Sequence, residues 1–307
     1  LPKQVNVDEQ RQTVQVQPDA VSVEEAREAG PVHVANQFWH RLGIDEVLAE
    51  AGLDEKTMEL TRVIVFNRLI APASEHRMPA WARGTAFEDI TEIKVSELSD
   101  DALYRNLDRL YPMRELIESK LRARELSLFK LENTVYLYDL TSTYFEGSCP
   151  KNSEARRGYS RDGRPDCKQV LVGLVVDRDG FPIMHEVFEG NRADTTTVEA
   201  MLDALERRLG RPSGGTVVVD RGMASRENLE LIKRRGYCFV VAARQTERDG
   251  YLDEFEDEEG FTEVVRQPSP ANPYQDKTMV RVKKKEQENG QSLLLVVSEE
   301  GKPRTGP

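Results

Sequence analysis

Two aspartates stand out, each at the end of a short apolar run. Val135-Tyr136-Leu137-Tyr138 leads into Asp139, and Thr216-Val217-Val218-Val219 leads into Asp220. β-Branched, aromatic and aliphatic residues favour strands. The first run is apolar enough to predict a strand buried on both faces that ends at Asp139. A carboxylate in such a place is costly unless something neutralises it, and two held together repel unless a cation sits between them. The pair therefore points to one shared site for a divalent ion, and oxygen ligands suit Mg²⁺ or Mn²⁺. Two such ions about 3.5–4 Å apart can activate an attacking hydroxyl and stabilise a leaving oxygen, the arrangement used for phosphoryl transfer. A site of that kind normally needs a third acid. The alternative is that each aspartate caps the helix that follows it.

The elements that must position this pair are readable from residue 133 onward. After the Asp139 strand comes a loop rich in bases and turn residues, in which Lys151–Lys168 holds six bases against three acids. Gln169–Asp177 reads as a strand, Asp179-Gly180 as a hairpin turn, and Phe181–Phe188 as the return strand. Asp177, Asp179 and Gly180 have a faint calcium-loop look but lack the later ligands, so a plain turn is expected. Asp194 or Thr195 is placed to cap a helix over Thr197–Leu209. The Asp220 strand follows, then a helix from Ser225 to Arg235 and a strand over Tyr237–Ala242. Strand, hairpin, helix, strand, helix, strand is a mixed α/β order in which the first three strands form an antiparallel meander. It is the topology of a ribonuclease H-like core, where the first strand and the strand after the first helix are neighbours. Asp139 and Asp220 would then lie side by side.

The flanking regions differ in kind. Leu1–Pro18 alternates valine with polar residues and suggests a strand pair or a loose arm. Asp19–Lys130 reads as an all-helical region of about five helices. One spans Val32–Ala51. Another, over Asp54–Ile70, reads as amphipathic, with Asp54 as N-cap and Pro72 beyond its end. Ser99 caps Asp100–Leu110, and Pro112 opens a helix to about Lys130. This region would bind DNA as a helix-turn-helix unit or serve as a packing or dimerisation bundle. His33, His40 and His76 have no metal-ligand spacing and read as ordinary histidines. Beyond Thr246 come strand-like runs, Phe261–Arg266, Thr278–Lys284 and Leu293–Val297, with Asn289-Gly290 as a tight turn. The division is thus 1–130, 131–245 and 246–307.

The bulk numbers fit a polar chain of several domains. It has 307 residues, 38% hydrophobic and 32% charged, and a net charge of -11. That charge argues against nucleic acid at first, but it is zoned. Glu247–Glu259 holds eight acids and one base, whereas Lys277–Lys285 holds five bases. Local field governs more than the total. No run of about 18 apolar residues is present, so no membrane span is expected. No signal peptide is visible. Three scattered cysteines suit a reducing cytoplasm,. Leu1 is not an initiator Met, so the natural reading frame is expected to begin upstream.

Five segments in order resemble the DDE transposases of bacterial insertion sequences. Tyr138-Asp139-Leu140-Thr141-Ser142-Thr143-Tyr144-Phe145-Glu146-Gly147 is similar to that family's first catalytic segment. Gly163–Gln169 with Gly173–Val176 resembles its second strand. Gly180-Phe181-Pro182 and Glu189-Gly190-Asn191-Arg192-Ala193-Asp194 resemble its hairpin and the turn into its helix. Val219-Asp220-Arg221-Gly222-Met223 is similar to its second catalytic segment. The resemblance covers about Asn133–Ala243.

It implies a ribonuclease H-like fold, Mg²⁺ or Mn²⁺ dependence, and cut-and-paste transposition acting on terminal inverted repeats and target DNA. Water would attack each transposon end, and the freed 3′ hydroxyl would attack the target. Asp139 and Asp220 would be the first two members of the acidic triad and hold the metal. Arg157, Arg164, Lys168 and Arg221 would contact DNA phosphates; otherwise the loop bases are a solvated surface and Arg221 is an ion pair beside its helix. A homodimer and a bacterial cytoplasmic, nucleoid-associated setting follow from the same resemblance. The family's third acid sits on a later helix in a Tyr, Arg, Glu, Lys pattern. Glu286 and Glu288 lie at a hairpin and do not fill that place. The chain is therefore expected to be a C-terminally truncated transposase that, lacking the triad Glu, binds Mg²⁺ weakly and does not cleave DNA, or a catalytically dead DNA-binding or regulatory remnant of one.

Overall fold

The computed structural model describes residues 26–211, 214–242, 250–257, 259–266, 278–287 and 290–298. The valine-alternating arm at 1–18 lies outside these residues, as does Asn289 of the expected tight turn.

Backbone contacts divide the chain into two compact units. One comprises Leu1–Thr134, Leu174–Glu186 and Met201–Pro212; the other comprises Val135–Gly173, Val187–Ala200 and Ser213–Pro307.

Among the described residues, the first unit holds seven α-helices before the first strand: α1 (Gly30–Arg41), α2 (Ile44–Glu50), α3 (Glu55–Ile70), α4 (Met78–Arg83), α5 (Phe87–Thr91), α6 (Asp100–Leu110) and α7 (Arg114–Phe129). The sequence suggests about five. The single helix expected over 32–51 is broken at Gly43, whose φ of 61° lies in the left-handed region that glycine adopts freely,. The capping signals hold. Asp54 accepts from Thr57 N at 2.8 Å, and Ser99 accepts from Ala102 N at 3.2 Å,. Pro112 sits in a 3-10 turn, Tyr111–Met113, just before α7.

Helix α3 corrects the amphipathic expectation. Thr57, Leu60, Thr61, Val63, Ile64, Phe66 and Asn67 are all buried, so it is enclosed on several sides. Phe66 packs edge-to-face against Trp39 and Phe87, with centroids 5.8 and 5.9 Å away,. A buried polar pair crosses the same core: Asn106 donates to the Thr61 hydroxyl at 2.9 Å,.

Three further strands and one helix carry the chain onward: β1 (Val135–Phe145), β2 (Lys168–Val176), β3 (Pro182–Glu189) and α8 (Val198–Leu209). They are followed by β4 (Thr216–Val219), α9 (Arg226–Arg234) and β5 (Cys238–Val241). The five strands form one mixed sheet in the order β3-β2-β1-β4-β5. β4 lies parallel to both β1 and β5, and the five-residue turn between β2 and β3 makes that pair antiparallel. This is the ribonuclease H-like order that the sequence predicts. The Asp177 carboxylate shapes the turn, accepting from Asp179 N and Phe181 N at 2.9 Å each. The other carboxylate oxygen pairs with Arg122 at 2.8 Å, both side chains 1% exposed. Arg122 also donates twice to Asn133 Oδ1. That completes the pairing a buried charge needs.

Two expectations about β1 are overturned. It runs eleven residues, so Asp139 is mid-strand rather than terminal. It also alternates, with Tyr136, Tyr138 and Leu140 buried and Leu137, Asp139 and Thr141 exposed. One face is therefore open, because period-two geometry sends neighbours to opposite sides.

A second sheet, β6 (Thr262–Arg266), β7 (Thr278–Glu286) and β8 (Ser292–Ser298), is antiparallel throughout. The charge zoning meets here. Asp257 pairs with Lys283 at 2.8 Å, and Glu254, on the short helix α10 (Leu252–Glu256), bonds Lys285.

Glu118 on α7 is a further anchor within the first unit. It accepts from His185 N at 3.0 Å, meets His185 Nδ1 at 2.6 Å, and accepts from Arg208 Nε at 2.6 Å. Burial pushes its carboxyl up, but the hydrogen bond with His185 and the Arg208 charge outweigh burial and hold it below 4.5,. A depressed carboxyl contributes stability that is present above its unfolded value and lost as pH falls through the folded one. Glu118→Ala is expected to lower urea-unfolding stability by about 2–4 kcal/mol at neutral pH. The gap between wild type and variant should narrow on acidification below pH 4.5.

Candidate functional site

The pairing of β1 with β4 sets the site. The two strands run parallel with Tyr138 opposite Val219. The next residue on each is Asp139 and Asp220, so two carboxylates leave adjacent strands about 4.8 Å apart at the backbone. Tyr138 and Val219 are both buried and both aspartates exposed. The Asp139 carboxylate accepts from Leu140 N at 2.8 Å. Asp220 heads the 3-10 turn Arg221–Met223, with its carboxylate accepting from Gly222 N at 3.2 Å. Among the described residues neither acid has an Arg or Lys partner. Two neighbouring, solvent-facing, unneutralised carboxylates are a donor set that fits a hard divalent cation.

Asp194 and Asp220 both lie near Gly222. Gly222 has no side chain, and a Cβ built there would lie 3.8 Å from Asp194 Oδ2 and 3.9 Å from Asp220 Oδ2. Asp194 opens the 3-10 turn Asp194–Thr196 ahead of α8. The N-cap of this turn is Ala193, which makes no side-chain cap bond; the Asp194 carboxylate accepts from Arg161 at 3.0 Å, and its backbone carbonyl accepts from Thr197 N at 3.2 Å. Asn228, buried on α9, fixes this arrangement. Its amide donates to Thr195 O and to Met223 O at 2.8 Å each, tying the turn before α8 to the turn after Asp220. Beneath them, burial pushes the Tyr138 phenol up to about 12.

The basic loop between β1 and β2 is pinned by backbone. Gly190 crosses it so closely that a Cβ would sit 2.0 Å from Gln169 O and 2.6 Å from Arg156 O; at Gly158 it would sit 2.2 Å from Gly190 O. Arg156 and Gln169 exchange backbone hydrogen bonds at 3.0 and 2.8 Å. The Gln169 amide, 1% exposed, donates to Tyr159 O and Gly190 O at 2.9 and 2.8 Å.

The predicted DNA-contacting residues fall in different settings. Arg221 is exposed and adjoins Asp220. Arg164 is committed to its own loop: it forks onto Asp166 with two 3.0 Å bonds and lies 5.0 Å from the Tyr144 ring centroid. Through these bonds it holds the Asp166 carboxyl down to about 2. Arg157 donates to Asp166 O at 3.3 Å. Lys168 opens β2. Arg161 was not among the predicted residues, yet it is a loop base that reaches Asp194. Its sequence signal was membership of the six-base run, which does not say which base does so. Among the described residues, no group of three His, Cys, Asp or Glu side chains is arranged to hold a metal ion.

A family model described as the transposase DDE domain matches residues 131–302. Curated protein sequences give no match. Among solved structures, a piggyBac transposase synaptic complex with hairpin DNA gives a TM-score of 0.35 at 11% identity, covering 92% of this chain and 54% of that one. A Mos1 transposase paired-end complex with left transposon end gives 0.25 at 12% identity, covering 66% and 72%. A simian T-cell lymphotropic virus intasome in complex with PP2A regulatory subunit B56 gamma gives 0.25 at 15% identity. The chain spans 38% of the length of that intasome chain.

Gly190→Ala tests the pinned loop. The added Cβ collides with backbone atoms, which cannot swing aside as a side-chain tip can. The variant is expected to lose about 1–3 kcal/mol and to show faster amide exchange across 156–169, with β4 unchanged. Unaltered exchange in that loop would contradict the packing described.

Proposed function

Because the chain belongs to the transposase DDE domain family, we propose that it acts on DNA as an insertion-sequence transposase. In this reading it cleaves and joins strands at terminal inverted repeats, in a bacterial, nucleoid-associated setting. Asp139 and Asp220 hold a divalent ion, Mg²⁺ or Mn²⁺. When bound, such an ion would supply Lewis acidity toward a phosphate oxygen and an activated hydroxyl at neutral pH. The protein's own part is to present both carboxylates at fixed spacing, each already steadied by a backbone N–H. Arg157, Lys168 and Arg221 neutralise DNA phosphates, which gives affinity without sequence readout; Arg164 joins them by giving up its fork on Asp166. The helical part at 1–130, the core at 131–245 and the β-rich part at 246–307 form the proposed division of labour, with a homodimer as the working unit. The single observation that carries this reading is the β1–β4 register, which sets two unneutralised acids side by side.

A second reading, DNA binding without strand cleavage, has one observation in its favour: no third His, Cys, Asp or Glu side chain completes a metal-holding group with this pair among the described residues.

Two measurements separate these readings. Mn²⁺ titration is expected to show binding that Asp139→Asn or Asp220→Asn weakens about tenfold or more. Wild-type affinity retained in both variants would overturn the metal assignment. Nicking of supercoiled plasmid that needs Mn²⁺ and is abolished by either substitution supports the transposase reading. DNA binding with no nicking supports the second.

A further inference from the structure

We propose that Arg161 contacts the DNA phosphate held at the Asp220 site, and that Asp194 is the positioning residue that aims it. The inference rests on the functional reading above and extends it to two residues outside the acid pair.

The loop does not need Arg161 for its own anchoring. Gly158 and Gly190 cross at backbone contact, and Gln169 stitches the crossing from inside. An exposed ion pair adds only about 0–1 kcal/mol to such an arrangement. Yet the Arg161 guanidinium is held at 3.0 Å from Asp194, with side chains 37% and 35% exposed and so open to a large ligand. The same Asp194 oxygen faces the space over Gly222 that Asp220 Oδ2 also faces, at 3.8 and 3.9 Å. Glycine at 222 leaves that space empty of side chain. Asn228 fixes the two turns that carry Asp194 and Asp220 against each other.

The chemistry of the pair suits a phosphate. Among the described residues Arg161 bonds Asp194 through Nη2 alone. A guanidinium has five N–H donors in a planar fork, so one edge can stay on the carboxylate while another meets phosphate oxygens. Until DNA arrives, Arg161 offsets the charge of Asp194. When a phosphate reaches Asp220 with its cation, the guanidinium is already oriented, and less freedom is lost than a loose arginine would lose. DNA and divalent ion should then favour each other's binding, since linkage between two ligands is reciprocal.

The test measures that coupling in the full chain. Affinity for a short fluorescein-labelled duplex is measured by anisotropy, with and without saturating Mn²⁺. The wild-type protein is expected to bind about tenfold tighter with Mn²⁺, within the usual range of coupling. Arg161→Ala should bring the ratio close to one, and Arg161→Lys should keep part of it. Arg105→Ala, an exposed α6 arginine with the same change in charge, should keep all of it. Asp194→Ala should lower the ratio when Arg161 is present and have no further effect in the Arg161→Ala background, the non-additivity of residues acting as one. An undiminished ratio in Arg161→Ala, or an effect of Asp194→Ala that persists without Arg161, overturns the proposal. A wild-type ratio of one also overturns it. The functional reading falls with it only if Mn²⁺ binding is itself indifferent to Asp220→Asn.

Discussion

The parallel register between β1 and β4 is the constraint on which the site depends. Pairing Tyr138 with Val219 places the next two residues, Asp139 and Asp220, on neighbouring strands at the same level. A slip of one residue would turn one acid to the opposite face, because side chains alternate along a strand. The register is strongly specified. Tyr136, Tyr138, Val217 and Val219 are all 5% exposed or less, and a slip would exchange these buried side chains for exposed ones. Burial on one face of the sheet thus enforces carboxylate proximity on the other.

The surroundings of the pair are built from close backbone approaches more than from side-chain packing. Gly158, Gly190 and Gly222 matter for what they lack. The first two let the basic loop lie against the end of β3, and the third keeps the space between Asp194 and Asp220 clear. Asn228 and Gln169, each donating to two carbonyls, hold irregular segments whose backbone groups would otherwise be left unpaired,. Such amides are costly to bury unless fully bonded, and here they fix turns that carry charge.

Much of this was legible in the sequence. The two apolar runs ending in aspartate, the Asp179-Gly180 turn and the Ser225-capped helix gave the strand order, hence the neighbouring acids. The length of β1 was misjudged, although Thr141-Ser142-Thr143-Tyr144-Phe145 is itself rich in β-formers. Its open face was hidden because Leu137 is apolar, so composition alone did not reveal the alternation. The split of the 32–51 helix into α1 and α2 was missed because Gly43, in the left-handed region, breaks the chain without disturbing helical spacing. Asp194 looked like a helix cap because cap residues and ion-pair residues are the same types. Only the folded loop shows that Arg161 reaches it. The acidic and basic zones near the C-terminal end were visible as composition, but their mutual pairing through Lys283, Lys285, Glu254 and Asp257 needed the β7 strand to bring them together.

The account stands or falls on whether the two aspartates share one ion. Anomalous diffraction from crystals grown with Mn²⁺ measures this directly. The account predicts a peak within about 2.0–2.3 Å of an oxygen from both Asp139 and Asp220, the distance expected of oxygen ligands to a small divalent ion. A peak bound by one of them alone, or an ion settled elsewhere while this pair stays bare, would contradict it.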